Sequence, residues 1–229
     1  MVGQATAHVA DDDDLVIDVV GHMFWWEVHY PGLDITTANE IVVPTDQQVR
    51  LNLTTEDVIH SFWMPRLHGK VDMVPGRENI MTFTADEVAR HRGHCAEFCG
   101  VAHAQMVAFV DAVEPEDFDA WVDAQQQPAS EPVNAEGERV FLEVGCAACH
   151  AIDGLEGADG LVGPDLTHLA SRGSLAAGIA PNDREHLEEL IVDPWGLKPG
   201  NPMPPTPLSN DELDDLVDYL EGLSPEARP

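Results

Sequence analysis

The sequence predicts two domains of different class, an all-β sandwich followed by an all-α domain, and three observations predict it. As far as Val113 the chain is a series of short β-branched and aromatic runs separated by turn residues. From Gln125 to Asn134 it is polar, contains proline and lacks any apolar period, which marks a linker. Beyond that, helical periodicity brackets a single Cys-x-x-Cys-His run. A length of 229 residues suits one large or two modest domains. The patterns divide it into 1–124, a linker at 125–135, and 136–229.

The first stretch, Leu15 to Tyr30, stops at Pro31-Gly32 and reads as one strand ended by a turn. Taken alone, its cluster Phe24-Trp25-Trp26 reads as core packing, because such rings dominate apolar burial. Asn39 to Pro44 and Gln48 to Thr54 alternate around a polar turn, which predicts a hairpin. Pro65 to Arg77 is rich in turn residues, and further strands follow at Asn79 to Thr84 and Val107 to Val113. Glu114-Pro115 opens a short helix that closes the domain, with Pro115 near its first turn.

Just before the last strand, Cys95-Ala96-Glu97-Phe98-Cys99-Gly100-Val101-Ala102-His103-Ala104-Gln105-Met106 holds two thiols, an imidazole and a thioether. A mononuclear blue-copper centre needs one Cys, with His and a weak Met. The second Cys, four positions on, allows two thiolates to bridge a pair of metals. His103 and Met106 would then be terminal ligands, and His60 is the best-placed further imidazole. Tetrahedral zinc on Cys-Cys-His-His is the competing reading, although zinc gains little from the Met106 thioether. A structural disulfide is the third.

The second domain begins with an amphipathic helix from Glu136 to Val144 that runs into Cys146-Ala147-Ala148-Cys149-His150, the pattern of c-type haem attachment. Both thiols would bond the haem vinyl groups and His150 would be the proximal iron ligand. A thioredoxin-like pair would need a βαβ context that is missing. Gly163-Pro164-Asp165-Leu166 is either an ordinary turn or, as its resemblance to a loop of small cytochromes c implies, the place where the Pro164 carbonyl orients the proximal imidazole. Met203, in the Pro-rich run Lys198 to Pro205, is the only methionine after His150; that helix-free run resembles the distal-Met loop of class I cytochromes c, which makes Met203 the preferred sixth ligand. His168 and His186 are the bis-His alternatives. The last helix runs from Ser209 to Leu220, capped by Ser209 or Asn210, with Leu213, Leu216, Val217 and Leu220 on one face.

A net charge of −31, from 42 acidic residues against 11 Lys and Arg, excludes nucleic-acid binding. Disorder is countered by 44% hydrophobic content and clear periodicity. A solvated acidic surface of halophilic type fits better, with Asp11 to Asp14 as its densest run. No run of about 18 apolar residues is present, so nothing in the sequence reads as a membrane span. The start lacks the charged and apolar regions of a secretory signal.

Cys95-x-Glu97-x-Cys99-Gly100-x-x-His103-x-x-Met106, preceded by His60-Ser61-Phe62-Trp63, resembles the binuclear copper-A site of cytochrome c oxidase subunit II. The copper-A loop of nitrous-oxide reductase is similar, but Glu97 between the cysteines favours the oxidase, and no multi-His catalytic cluster accompanies it here. The resemblance implies a Greek-key sandwich of cupredoxin type in which Cys95 and Cys99 bridge two coppers. His60 and Met106 would complete one copper, and His103 with the Glu97 carbonyl the other. It also implies a magnesium ion at the Glu97 carboxylate, on the boundary with the catalytic subunit, and electrons entering at Phe24, Trp25 or Trp26. Lys70-x-Asp72-x-x-Pro75-Gly76-Arg77 resembles the segment facing that subunit.

Copper domain followed by haem domain resembles the caa3-type subunit II, including Gly163 to Arg172 and Lys198 to Pro204. Such a subunit passes electrons from a reduced donor, such as a cytochrome, through haem c and copper A. They go on to the haem–copper centre of subunit I, where oxygen is reduced; the electron-transfer domains themselves would stand at the outer, periplasmic or extracellular, face of the cytoplasmic membrane. The family's two-helix membrane hairpin has no counterpart ahead of Leu15, so the sequence reads as a soluble domain fragment beginning past it. A free-standing electron carrier is the alternative. The polar linker predicts a flexible tether that removes any need for a strong docking surface.

Overall fold

The computed structural model describes residues 14–129 and 134–225. Most of the acidic run Asp11 to Asp14, and linker residues 130–133, lie outside the described residues.

Two five-stranded sheets face each other. The first contains β1 (Leu15–His22), β2 (Trp25–Tyr30), β3 (Ile35–Ala38), β5 (Gln48–Thr55) and β8 (Asn79–Thr84), in the order β3-β2-β1-β5-β8. The second contains β4 (Glu40–Pro44), β6 (His60–Trp63), β7 (Val71–Met73), β9 (Ala89–Cys95) and β10 (Val107–Val113), in the order β4-β10-β9-β6-β7. Strict alternation places Ile17, Val19, Val49, Leu51 and Leu53 between the sheets, where all are fully buried. This is a cupredoxin-like sandwich. Helix α1 (Pro115–Gln125) closes it, with Trp121 against Tyr30 at 5.1 Å between ring centroids.

Two strand expectations are corrected. Leu15 to Tyr30 is two strands that turn back at Met23-Phe24 and pair antiparallel from His22–Trp25 to Asp18–His29. The turn itself, Met23-Phe24, carries neither Gly nor Pro, and the nearby Gly21 lies inside β1, so no local signal marks the break. The predicted hairpin of β4 and β5 does not form: β4 pairs in parallel with β10 and β5 in parallel with β1, so the connection crosses between sheets. Strand β9 carries Arg90, His91, Arg92 and His94, and its polarity hid it in the sequence.

The second domain is helical. Helix α2 (Ala135–Glu143) starts at Asn134, whose side chain accepts from the amides of Glu136 and Gly137. Helix α5 (Asn210–Glu221) starts at Ser209, in a reciprocal cap with Glu212. They cross at Gly137, where a Cβ would lie 2.0 Å from the Asp215 carbonyl oxygen. Helices α3 (Arg184–Val192) and α4 (Pro194–Leu197) complete a core of Val140, Phe141, Leu187, Ile191, Leu216, Val217 and Leu220.

Candidate metal centre and haem cleft

The thiol-bearing loop joins two paired strands, since His94 of β9 stands opposite Val107 of β10. Both its ends are therefore fixed. The Cys95 amide donates to the Met106 carbonyl at 2.9 Å, and the Ala96 amide to the Ser61 carbonyl at 2.9 Å. Strand β6 runs antiparallel to β9, with Phe62 opposite Cys95, and this brings His60 to the loop from 35 residues upstream.

The sequence-selected donors converge. Cys95 Sγ and Cys99 Sγ are 3.9 Å apart, His60 Nδ1 is 3.8 Å from Cys95 Sγ, and His103 Nδ1 is 3.6 Å from Cys99 Sγ. Met106 Sδ lies 3.9 Å from Cys99 Sγ, and the Glu97 carbonyl oxygen 3.2 Å from Cys95 Sγ. Donor atoms of His60, Cys95 and Cys99 all lie within 4.8 Å of one another. The disulfide reading fails, because bonded sulfurs sit about 2.05 Å apart. His60, Cys95, Cys99 and Met106 are buried and His103 is half-exposed. Buried sulfur and imidazole donors fit copper, and the thioether aimed at Cys99 suits it better than zinc.

The electrostatics prepare the pocket for a cation. Hydrogen bonding between the two thiols pulls Cys95 well below the usual thiol range, against the effect of burial, and pushes Cys99 up. One thiolate is thus already favoured, and two side by side would require positive charge. His60 Nε2 is 2.7 Å from Asp57 Oδ1, so its other nitrogen, Nδ1, faces the sulfurs. Burial pushes His60 down, but its bonds to Cys95 and Asp57 outweigh that and leave it raised. Asp57 also accepts from the amides of Val58 and Met23. The Asp57-x-x-His60 spacing was present in the sequence and went unread. Above the pocket, Trp26 stands edge-on to His60 at 5.9 Å.

The Glu97 carboxylate points away from the cluster and is exposed, 3.9 Å from Lys70 Nζ. Lys70 is also 3.4 Å from Asp72, so the Lys70-x-Asp72 segment and Glu97 share one face.

In the second domain, Cys149, His150, Pro164 and Met203 line one open cleft, together with Leu166, Leu169, Leu175 and Leu190. Cys146 sits one turn away, where burial raises its thiol to about 11. His150 Nδ1 lies 2.7 Å from the Pro164 carbonyl oxygen, leaving Nε2 for the cleft. A Cβ at Gly163 would come within 2.5 Å of the imidazole, so only glycine admits the ring here. An apolar cleft with an oriented imidazole and a thioether fits a haem. His168 and His186 do not line it: His168 meets the Gln127 carbonyl and His186 meets Asp183.

The cleft is not built by the helical domain alone. Phe24, Trp25 and Asn39 of the sandwich form part of its wall. Trp25 packs with Ala38 and with Ala177 of the helical domain. On its other side, Phe24 presses against the thiol loop, where a Cβ at Gly100 would lie 2.8 Å from Phe24 Cζ. The aromatic cluster is therefore buried, with Trp26 fully enclosed beside Phe62. Lys198, also unread in the sequence, lines the cleft with its ammonium buried.

Fold and site together define a cupredoxin-like metal domain joined to a c-type cytochrome domain. The family model "Cytochrome C oxidase subunit II, periplasmic domain" matches residues 33–113 and the model "Cytochrome c" matches residues 134–224. Cytochrome c oxidase subunit 2 of Alkalihalophilus pseudofirmus is 39% identical over 216 residues, covering 93% of this chain and 62% of that protein. The Bacillus subtilis protein of the same name is 34% identical, covering 95% of this chain and 64% of its own length. The periplasmic domain of subunit II from Bradyrhizobium japonicum is 30% identical, with a TM-score of 0.49, covering 52% of this chain and 97% of that one. The chain belongs to the cytochrome c oxidase subunit II family, in the form that carries a cytochrome c domain. This membership implies copper A and haem c. The chain spans under two thirds of the length of its curated relatives, and among the described residues no helix is long and apolar enough to cross a membrane.

Proposed function

We propose that this chain is the electron-transfer subunit of a respiratory oxidase. It takes electrons from a reduced donor and delivers them to a haem–copper subunit that reduces oxygen, at the outer face of the cytoplasmic membrane. When bound, haem c and a pair of coppers supply the one-electron chemistry, and the chain's residues hold and connect them. Cys146 and Cys149 would hold the haem covalently, and His150 and Met203 would be its iron ligands. Pro164 fixes the imidazole. Cys95 and Cys99 would hold the pair of coppers, together with His60, His103, Met106 and the Glu97 carbonyl. The exposed Glu97 carboxylate is the place for an interface magnesium ion. Residues 1–124 and 136–229 are the two modules, joined at 125–135.

One observation carries the reading: Phe24 stands between the haem cleft and the thiol loop, touching both. Phe24, Trp25 and Trp26 therefore receive electrons from the chain's own haem module, and an outside donor must approach the haem elsewhere. The test is electron spin resonance of copper-loaded protein together with photoreduction of the haem. Coupling of one unpaired electron to two copper nuclei, and first-order copper reduction independent of protein concentration, are expected. A four-line single-copper spectrum or a rate proportional to concentration would refute it.

A further inference from the structure

The polar linker predicts a loose tether, yet the modules meet through a built interface. The Glu40 carboxylate accepts from the Gly173 amide at 3.0 Å and from the Ser174 hydroxyl, and Arg90 bridges Glu40 to Asp111. The Val107 amide donates to the Ala177 carbonyl at 3.1 Å. At Gly200 a Cβ would lie 2.2 Å from Val101 Cγ2, so the Pro-rich turn of the haem module sits directly on the thiol loop.

Lys198 is the unusual member of this interface. It is 3% exposed, and its Nζ donates to the Phe24 carbonyl at 2.7 Å and to the Ala176 carbonyl at 2.9 Å. Those two oxygens belong to different modules. No carboxylate is among its hydrogen-bond or ion-pair partners in the described residues. A cation buried without a counter-ion is costly. Desolvation draws the ammonium down to about 7, a measure of that cost. The chain has only 11 Lys and Arg against 42 Asp and Glu, so a buried cation with no carboxylate partner among the described residues is a scarce group in an unfavourable place. What it gains is order. Ala176 and Ala177 hold left-handed backbone at φ 52° and 59°, which non-glycine residues avoid unless their surroundings impose it. Lys198 pins that turn from one side and the Phe24 turn from the other.

We infer that Lys198 is a positioning residue that fixes the Met203-bearing loop of the haem module onto the Phe24 turn, and so sets the spacing between haem cleft and thiol loop. The inference rests on the electron-relay reading above. It predicts that docking, rather than the tether, governs the rate of transfer between the modules.

The test compares wild type with Lys198→Met, which keeps the apolar stem and removes the donors, and with Lys198→Arg, which restores donors. Hydrogen exchange of the metal-free chain is followed at residues 23–26 and 174–178, and the copper-reduction rate after haem photoreduction is followed in loaded protein. For Lys198→Met, exchange at both segments should rise at least tenfold. The transfer rate should fall about tenfold and become sensitive to viscosity, with both redox potentials unchanged. Lys198→Arg should recover most of the rate. Unchanged exchange and rate in Lys198→Met overturns the proposal, as does a rate loss explained by an equal shift in haem potential. Where Lys198→Met does not fold, Lys198→Gln reads the same quantities, and wild-type values there overturn it too. If loaded wild type shows no copper pair, the relay reading fails separately, and the exchange comparison still decides the role of Lys198 in docking.

Discussion

Replacing Asp57 with alanine removes the acceptor that holds the His60 ring with Nδ1 toward the thiols. The carboxylate accepts from His60 Nε2 at 2.7 Å and from the amides of Val58 at 2.6 Å and Met23 at 2.7 Å. Burial raises the Asp57 carboxyl, but these bonds prevail and hold it below the usual range. A hydrogen bond to a charged group contributes about 1.5–3 kcal/mol, and outer partners of metal-ligating histidines typically alter affinity by about 10- to 100-fold. The two ranges agree, since a factor of ten is about 1.4 kcal/mol. Asp57→Ala should therefore weaken copper binding about 30-fold. Asp57→Asn keeps an oxygen acceptor without the charge, so it should lose about fivefold. The assay is competition for copper against a chelator of known affinity, with the melting temperature of the metal-free protein as a control for folding. Wild-type affinity in both variants, with folding intact, would refute the orienting role of Asp57.

Gly137→Ala offers a helix-propensity gain of up to about 1 kcal/mol. Its Cβ would meet the Asp215 carbonyl oxygen at 2.0 Å and Tyr219 Cβ at 2.6 Å, and overpacking of about 1–3 kcal/mol outweighs the gain. Net loss of stability in denaturant unfolding is expected, and a variant as stable as wild type would contradict it. Glu27 is held at about 2 by hydrogen bonds from His22 and His29, and His29 is raised by its bond to Glu27. The carboxylate's contribution is present above its unfolded pKa of about 4.3 and is lost as pH falls toward 2. The imidazolium's contribution is present below about 6.5 and is lost as pH rises through its raised pKa. Glu27→Gln should thus cost most near pH 5.5, about 1 kcal/mol after solvent screening; a pH-independent difference in melting would count against the pairing. With a net charge of −31, self-repulsion should lower the melting temperature when the screening length grows from about 10 Å at 0.1 M salt to about 30 Å at 0.01 M. A flat salt profile would remove the halophilic reading.

Local chemistry was legible in the sequence wherever neighbours in the chain are also neighbours in space. The thiol loop, the Cys-x-x-Cys-His turn and the cap at Ser209 are of this kind, because a short segment's own donors fix its geometry. Period-2 alternation likewise determined which faces of β1 and β5 are buried. Strand partners were not legible, because alternation says which face is apolar and leaves the choice of neighbour open: β4 and β5 went to opposite sheets. The tertiary structure alone decided what lies between the two modules. Nothing in a Pro-rich run or an aromatic cluster says that Lys198 will reach Phe24 across 174 positions, or that Phe24 and Trp25 will wall the haem cleft. Such contacts depend on how two finished surfaces fit, and that fit is fixed only after each module has folded.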